Sequence, residues 1–372
     1  MNAIELKLFS SRLQAICDEM GGVLRRSAFS PNIKDRLDFS CALFAADGSL
    51  AAQAAHIPVH LGSMAYSMSA LVSEREWLPG DVLVLNDPYR GGTHLPDVTL
   101  VAPVFLGSGD ERAAALEVDQ TLVGFVANRA HHANIGCASP GSMPLSASIE
   151  EEGVLIAPTL LRRGGRLLSC GGACDALLFT PAGTLNGDFA AQLGANDLAV
   201  GLLNSLIESY GLESYRLALA SLNDYAQRLA RTALSEVSAG VYSALDYLDD
   251  DGFGGKDLPL RVTVELNPDG VRFDFSATVD QVDGNLNCPE SVAAAAAYYC
   301  FRCLLPEGAP LIFTSVVEAF AHVLVTCPLS AADGPAAAIA MGRQRPAGDR
   351  PACHALRRAR ALPGRRRAHL DR

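Results

Sequence analysis

The sequence predicts an α+β fold, with mixed β-sheets flanked by helices. Two blocks, residues 3–28 and 186–238, carry apolar residues at helical spacing. Between them lie short Val- and Leu-rich runs of strand type, "DVLVLND", "DVTLVAPVF" and "LVGFVANRAHH". A later alternating pattern, "LPLRVTVELNPDGVRFDFSATV", reads as a hairpin turning at Asn267-Pro268-Asp269-Gly270. With 372 residues the chain can bury a sizeable core.

Taken in order, the first helix is amphipathic, with Leu6, Leu8, Phe9, Leu13, Ile16 and Leu24 among its apolar positions. "FSCALFAADGSLAAQ" is a hairpin with Asp47-Gly48 at its turn. A loop holding His56 and His60 leads to a helix around 63–74, and the buried strands follow. Residues 145–175 are mixed, with β-structure expected around 153–156. Leu198, Leu202, Leu203, Leu206 and Ile207 mark the buried face of the second helical block. "GNLNCPESVAAAAAYYCFRCLL" is a Gly/Asn loop entering a helix. "YLDDDGFGGK" reads as a solvated turn, because its three successive acids lack the alternate spacing of a calcium loop. The expected division is 1–185 for a site-bearing α+β portion, 186–240 for a helical segment, and 241–328 for a β-hairpin and helix region. Residues 329–372 are expected to form a disordered Arg/Ala-rich tail.

That tail holds ten Arg against three Asp and no aromatic residue, too little to build a core. Arg, Ala, Pro and Gly are what a GC-rich gene yields out of frame, and the chain's 27 Arg against 3 Lys suggest such a gene. A frameshift or truncation is the favoured reading, ahead of a solvated basic tail or a specific binding element. The rest of the chain is strongly acidic, which argues against nucleic-acid binding. No apolar run approaches the roughly 18 residues of a membrane span, and the N-terminus has no secretory pattern. Ten scattered cysteines, with Cys300-Phe-Arg-Cys303 lacking a second pair, read as buried free thiols in a reducing compartment. The expected location is cytoplasmic.

The chemistry concentrates in "NDPYRGGTHLPDVTL", residues 86–100. Pro88 and Pro96 forbid a continuous helix, and Gly91-Gly92 permits a sharp turn. Asp87 can therefore fold back toward His94, and His94 and Asp97 can converge from a rigid turn. Five of the eight histidines, His56, His60, His94, His131 and His132, lie between 56 and 132. His131 and His132 end a strand, where neighbours face opposite ways, so one of the two is expected to join. A His/carboxylate set without cysteine suits Mn, Zn or non-haem Fe. The bland alternatives are hydrogen-bonded core histidines and an Asp87 that merely caps a turn. Phosphate-loop, dinucleotide and nucleophile-elbow motifs are absent from the sequence, so a nucleotide site, if the reaction needs one, belongs elsewhere.

"ADGSLAAQAAHIPVHLGSM", "GDVLVLNDPYRGGTHLPDVTLVAPVF", "ANRAHHANIG…PGSMP", "YLDDDGFGG" and "GNLNCPESV" occur in one order. Together they resemble the hydantoinase B/oxoprolinase family, over about residues 3–328. The family includes the B-type component of N-methylhydantoinase, the C-terminal half of 5-oxoprolinase and a large subunit of acetone carboxylase. The resemblance implies an ATP-dependent complex. A hydantoinase A-type partner uses ATP to phosphorylate an amide or carbonyl oxygen, and the B-type component handles the activated intermediate. Through its carboxylase branch it also implies a divalent metal, Mn or Zn with Fe also open, on the H-x-x-D pair His94 and Asp97 and on His131 or His132. The expected metal set is His94, Asp97 and His131, with Asp87, His132 and Asn134 as adjoining catalytic positions. The family's "HHADIGG" stands here as His131-His132-Ala133-Asn134-Ile135-Gly136-Cys137. Asn134 can hydrogen-bond or coordinate, but it cannot act as a base. The likeness dissolves after "VLVTCP", as if a C-terminal section were missing.

The expected function is thus a B-type component of a cyclic amide hydrolase of the hydantoinase/5-oxoprolinase kind, working in a cytoplasmic hetero-oligomer on a small ring substrate. A ketone-carboxylase-like component and a truncated, non-catalytic remnant are the alternatives.

Overall fold

The computed structural model describes residues 2–54, 56–106, 121–137, 139, 144–267, 270–305 and 324–326. The Arg/Ala-rich tail and the centre of the Asn267–Gly270 turn lie outside them. Helix α1 (Ala3–Ser27) opens with a capping box, in which Asn2 and Glu5 satisfy each other's backbone N–H groups. After α2 (Pro31–Lys34) come β1 (Phe39–Ala45), β2 (Leu50–Gln53) and α3 (Pro58–Ser73). Strands β3 (Val82–Leu85), β4 (Asp97–Phe105) and β5 (Leu122–His131) follow. Then come α4 (Ile149–Glu152), β6 (Thr159–Arg163), β7 (Arg166–Leu167) and α5 (Gly172–Leu178). Helices α6 (Gly187–Tyr210) and α7 (Leu212–Ser235) are separated by Gly211, whose φ of +78° breaks the single helical block the sequence suggests. Strands β8 (Gly240–Asp250), β9 (Lys256–Asn267) and β10 (Gly270–Asp274), helix α8 (Glu290–Arg302) and β11 (Leu324–Thr326) complete the order.

The α+β class holds, with one refinement. The larger sheet, ordered β2-β1-β5-β4-β3-β6-β7, is antiparallel throughout. Only the smaller one, β11-β10-β9-β8, is mixed, because β11 runs parallel to β10. The larger sheet is covered on both faces, so its central strands are apolar at nearly every position, as the sequence runs show. Cys41, Leu43, Val82, Val84, Val98, Leu100 and Val126 face α1, α6 and α7. Their neighbours Ala42, Phe44, Leu83, Leu85, Val101, Phe125 and Ala127 face α3 and α8. Helix α8 serves both sheets: Ala294 and Tyr298 pack on the larger, Ala297, Cys300 and Phe301 on the smaller. Gly62 of α3 makes the seam tight, since a Cβ there would lie 2.5 Å from Ala295 Cα.

Four local expectations change. The buried stripe of α6 includes Gln192 and Asn196 beside Ala195, Ala199, Leu203 and Ile207, while Leu198 and Leu202 are only partly covered. Helical spacing of leucines misplaces the face because two of its central residues are amides. Those amides form a ladder onto the sheet. Asn128 Nδ2 donates to Gln192 O and Asn196 Oδ1, and Gln192 Nε2 donates to Val98 O and Asn128 Oδ1. Asn196 Nδ2 donates to Leu100 O. The "YLDDDGFGGK" turn is not wholly solvated: Asp251 is buried and its Oδ1 accepts from Phe253 and Gly255 N–H. Residues 153–156 do not form a regular strand; the strand begins at Thr159. Finally, Cys170 and Cys174 are not free thiols but disulfide-bonded, with Cα atoms 5.8 Å apart. Gly171 and Gly172, both at positive φ, wrap Cys170 over the first turn of α5, which brings the two sulfurs within reach. Cysteine usage therefore no longer argues for a reducing compartment.

Candidate functional site

The site is built in rows across the larger sheet. Asp97, the first residue of β4, pairs with His131, the last of β5. The His131 N–H donates to Asp38 O at 3.0 Å, so Asp38, just ahead of β1, continues the row. Strand alternation turns the three side chains to the α3 side. Two further imidazoles arrive from outside the sheet. Pro58 starts α3 and sets His60 in its first turn. His94 comes from the turn before β4. There Asp87 caps the short 3-10 turn Pro88–Arg90, and Gly91 reverses the chain at φ +100°. Asn86 Nδ2 holds the turn by donating to Leu95 O and Val154 O.

Asp97 lies at the centre, almost wholly buried. Its Oδ2 accepts from His60 Nε2 at 3.0 Å and from Thr93 Oγ1. Its Oδ1 lies 3.0 Å from His94 Nε2 and 3.3 Å from His131 Nδ1. Asp38 stands beyond, 3.7 Å from His60 Nε2 and 3.8 Å from His131 Nδ1, and its side chain keeps 32% exposure. Burial alone would raise the Asp97 carboxyl, but His94 and His60, with bonds from His131 and His60, outweigh it and hold the group well below the usual range. Burial pulls His131 down, while Asp97 and then Asp38 more than offset this and raise it.

Behind this row stands a second polar one, Thr99, Arg129 and Ser40, in register on β4, β5 and β1. Ser40 Oγ lies 3.3 Å from His60 Nδ1, fixing which nitrogen of that ring faces Asp97. The third row, Val101, Ala127 and Ala42, is apolar. Polarity thus falls off over three rows from the end of the sheet inward.

The structure brings His94, Asp97 and His131 together, with one ligand atom from each within 4.8 Å of the others. It does not bring His132, Asn134 or Asp87 to them. His132 faces α6, where Nε2 meets Gln192 Oε1 at 2.8 Å and the ring packs on Phe189 at 4.3 Å. Asn134 is exposed, and its Oδ1 accepts the Gly136 N–H. Asp87 Oδ1 accepts the Tyr89 N–H, the capping role of the bland alternative. Sequence reasoning missed Asp38 and the placement of His60. The signal for His60 was present: a histidine two residues after Pro58 must emerge from a helix's first turn. His56 instead packs edge-on against Phe39.

One carboxyl near this end of the sheet predicts a pH effect. Glu152 ends α4, is buried, and its Oε1 has no partner. Burial pushes it up to about 8. Below the ordinary carboxylate range both folded and unfolded chains hold the proton, and nothing is lost. As pH rises toward 8 only the unfolded chain ionises, so stability falls across that window and levels off above it. Glu152→Gln is expected to match the wild type near about pH 4 and, after discounting for partial screening, to exceed it by about 2 kcal/mol at alkaline pH. Urea midpoints across pH check this, and parallel pH curves for the two proteins would contradict it.

The buried His94 Nδ1, which has no hydrogen-bond partner, and the Asp97 Oδ1 faced by two imidazoles fit a centre meant to receive a cation. Imidazole and carboxylate donors without thiolate suit a divalent ion of the Mn, Fe or Zn kind. A family model described as Hydantoinase B/oxoprolinase matches residues 2–341. The chain belongs to the hydantoinase B/oxoprolinase family. It is 36% identical to 5-oxoprolinase 1 of Arabidopsis thaliana over 342 residues, covering 83% of this chain and 26% of that protein. It is 29% identical over 323 residues to a Pseudomonas sp. (strain NS671) protein whose name makes it the B component of a D-/L-hydantoinase, covering 83% and 52%. Among solved structures, the ATP-dependent caprolactamase of Pseudomonas jessenii superposes with a TM-score of 0.75 and 25% identity, covering 92% of this chain and 56% of that one. This hydantoinase B/oxoprolinase chain therefore spans between about a quarter and about half of the length of these relatives. Among its described residues, no helix is long and apolar enough to cross a membrane.

Proposed function

We propose that this chain is the B-type component of an ATP-dependent cyclic amide hydrolase, with a divalent metal held by His94, Asp97 and His131 and supported by His60 and Asp38. The carrying observation is the convergence of these groups around one buried carboxylate in a chain of this family. A bound divalent metal would polarise a carbonyl oxygen or lower the pKa of water. The chain's own groups supply the rest. Asp97 provides the fixed negative charge. His60 and Thr93 hold its Oδ2, leaving Oδ1 to face inward. Asp38 is the partly exposed carboxylate of the set, placed to take a proton from water, a task the neutral Asn134 cannot perform. ATP is used by a companion A-type component, which activates the ring amide. The name of the Pseudomonas hydantoinase relative and the likeness to the ATP-dependent caprolactamase support that division of labour.

The test is co-expression with an A-type component, followed by metal analysis and assay with ATP on 5-oxoproline, hydantoin and caprolactam. Ring opening coupled to ATP cleavage, dependent on metal and lost in His94→Ala, is the expected result. Absence of bound divalent metal together with full activity of His94→Ala would remove the mechanism. Parallel incubations with bicarbonate and acetone report carboxyl transfer instead; activity confined to them would replace the hydrolytic reading.

A further inference from the structure

Arg129 is among the largest fully buried side chains, at 1% exposure, and among the described residues it forms no ion pair. A buried charge without a paired carboxylate is costly, and an apolar side chain would serve a mere scaffold better. Its donors explain its retention. Nε donates to Thr99 Oγ1 at 2.7 Å, Nη1 to Ser63 Oγ at 2.6 Å, and Nη2 to Gly91 O at 2.7 Å. Each partner stands close along the chain to a group of the centre. Thr99 follows Asp97 by two residues, Ser63 follows His60 by three, Gly91 precedes His94 by three, and Arg129 itself precedes His131 by two. One rigid fork thus ties β4, β5, α3 and the Gly91–Asp97 turn together. Gly91 is also pressed onto α3, where a Cβ would fall 2.5 Å from Ser67 Cβ.

We infer that Arg129 is a positioning residue whose guanidinium sets the convergence of His94, Asp97 and His60 on His131. This rests on the metal reading above, and it deepens it by assigning the support of the ligand set. The property at work is the planar three-direction fork. A lysine keeps the charge but cannot reach three elements at fixed angles.

The experiment compares wild type, Arg129→Lys, Arg129→Met and His94→Ala in the full chain. Zn(II) affinity is measured by chelator competition, the visible spectrum with Co(II), and hydrogen exchange of the 91–97 amides without metal. Arg129→Lys and Arg129→Met are both expected to weaken Zn(II) binding by about 10–100-fold, to alter the Co(II) spectrum, and to speed exchange in the turn. If His94→Ala loses metal while Arg129→Lys keeps wild-type affinity, spectrum and exchange, the inference is overturned and the metal reading stands. If Arg129→Met binds more tightly and Arg129→Lys is unchanged, charge rather than position is its role, and the inference is again overturned. If no protein binds metal, the metal reading fails, and faster turn exchange in Arg129→Lys still decides the clamp. Should the Arg129 variants not fold, Ser63→Ala and Thr99→Val each delete one arm without moving the charge. Each is expected to raise exchange in the 91–97 turn and weaken Zn(II) binding, and unchanged values in both would overturn the inference.

Discussion

Asp97→Asn should lose divalent-metal binding while keeping the fold. The substitution is nearly isosteric and leaves the β4–β5 pairing at Asp97 and His131 untouched, because that pairing uses backbone groups. What it removes is the single buried negative charge on which three imidazoles converge. The neutral amide keeps the bonds from His60 and Thr93 only by turning its NH2 toward His94 and His131, where Oδ1 now stands, so a donor replaces the acceptor there. A weakening beyond about a hundredfold, or about 2.7 kcal/mol, is expected. Isothermal titration with Zn(II) or Mn(II) measures it, and circular dichroism reports the fold. Stoichiometric binding at wild-type affinity by a folded Asp97→Asn protein would exclude Asp97 as a ligand. His94→Ala provides a second variant on a turn rather than a strand.

Gly62→Ala is expected to destabilise the chain by about 2–3 kcal/mol, although alanine is the better helix former by about 1 kcal/mol. The added methyl would lie 2.5 Å from Ala295 Cα and 2.6 Å from its Cβ. Neither atom belongs to a flexible side chain, so α3 and α8 must separate. Because α8 bridges the two sheets and α3 carries His60, the separation strains the inter-sheet seam and shifts one edge of the centre. Gly201 on α6 is the internal control, since nothing lies within 4 Å of its Cβ position. Gly201→Ala is expected to gain about 0.5–1 kcal/mol. Urea midpoints at constant slope measure both. Equal and small effects would show that the α3–α8 seam is compliant.

Much of the fold was legible because its determinants are local. Apolar runs bounded by Gly and Pro revealed the central strands, and the first helix followed from its spacing. His94 and Asp97 were legible for the same reason: a proline-stiffened turn brings them together within a few residues. His131 was legible only as one of a strand-end pair: alternation says that one of His131 and His132 joins, but not which. Asp38 was not, because its place depends on β1 lying beside β5, a pairing across a long separation that no short pattern encodes. Arg129 was hidden inside an apolar strand, where a single cation reads as an interruption. The Cys170–Cys174 pair was hidden because its geometry comes from two glycines at positive φ rather than from cysteine spacing.

The amide ladder between β5 and α6 has a consequence for how the chain reaches this arrangement. A slip of β5 by one residue would exchange its two faces. Arg129 and His131 would then turn toward α6, and Asn128 and His132 toward α3. The same slip strands Asn128, Gln192 and Asn196 in an apolar layer without their bonds. Mispaired molecules are therefore penalised on both sides of the sheet at once. The ladder acts as a proofreader of strand alignment, so that an incorrectly threaded chain does not persist as a counterfeit with a half-assembled cation pocket.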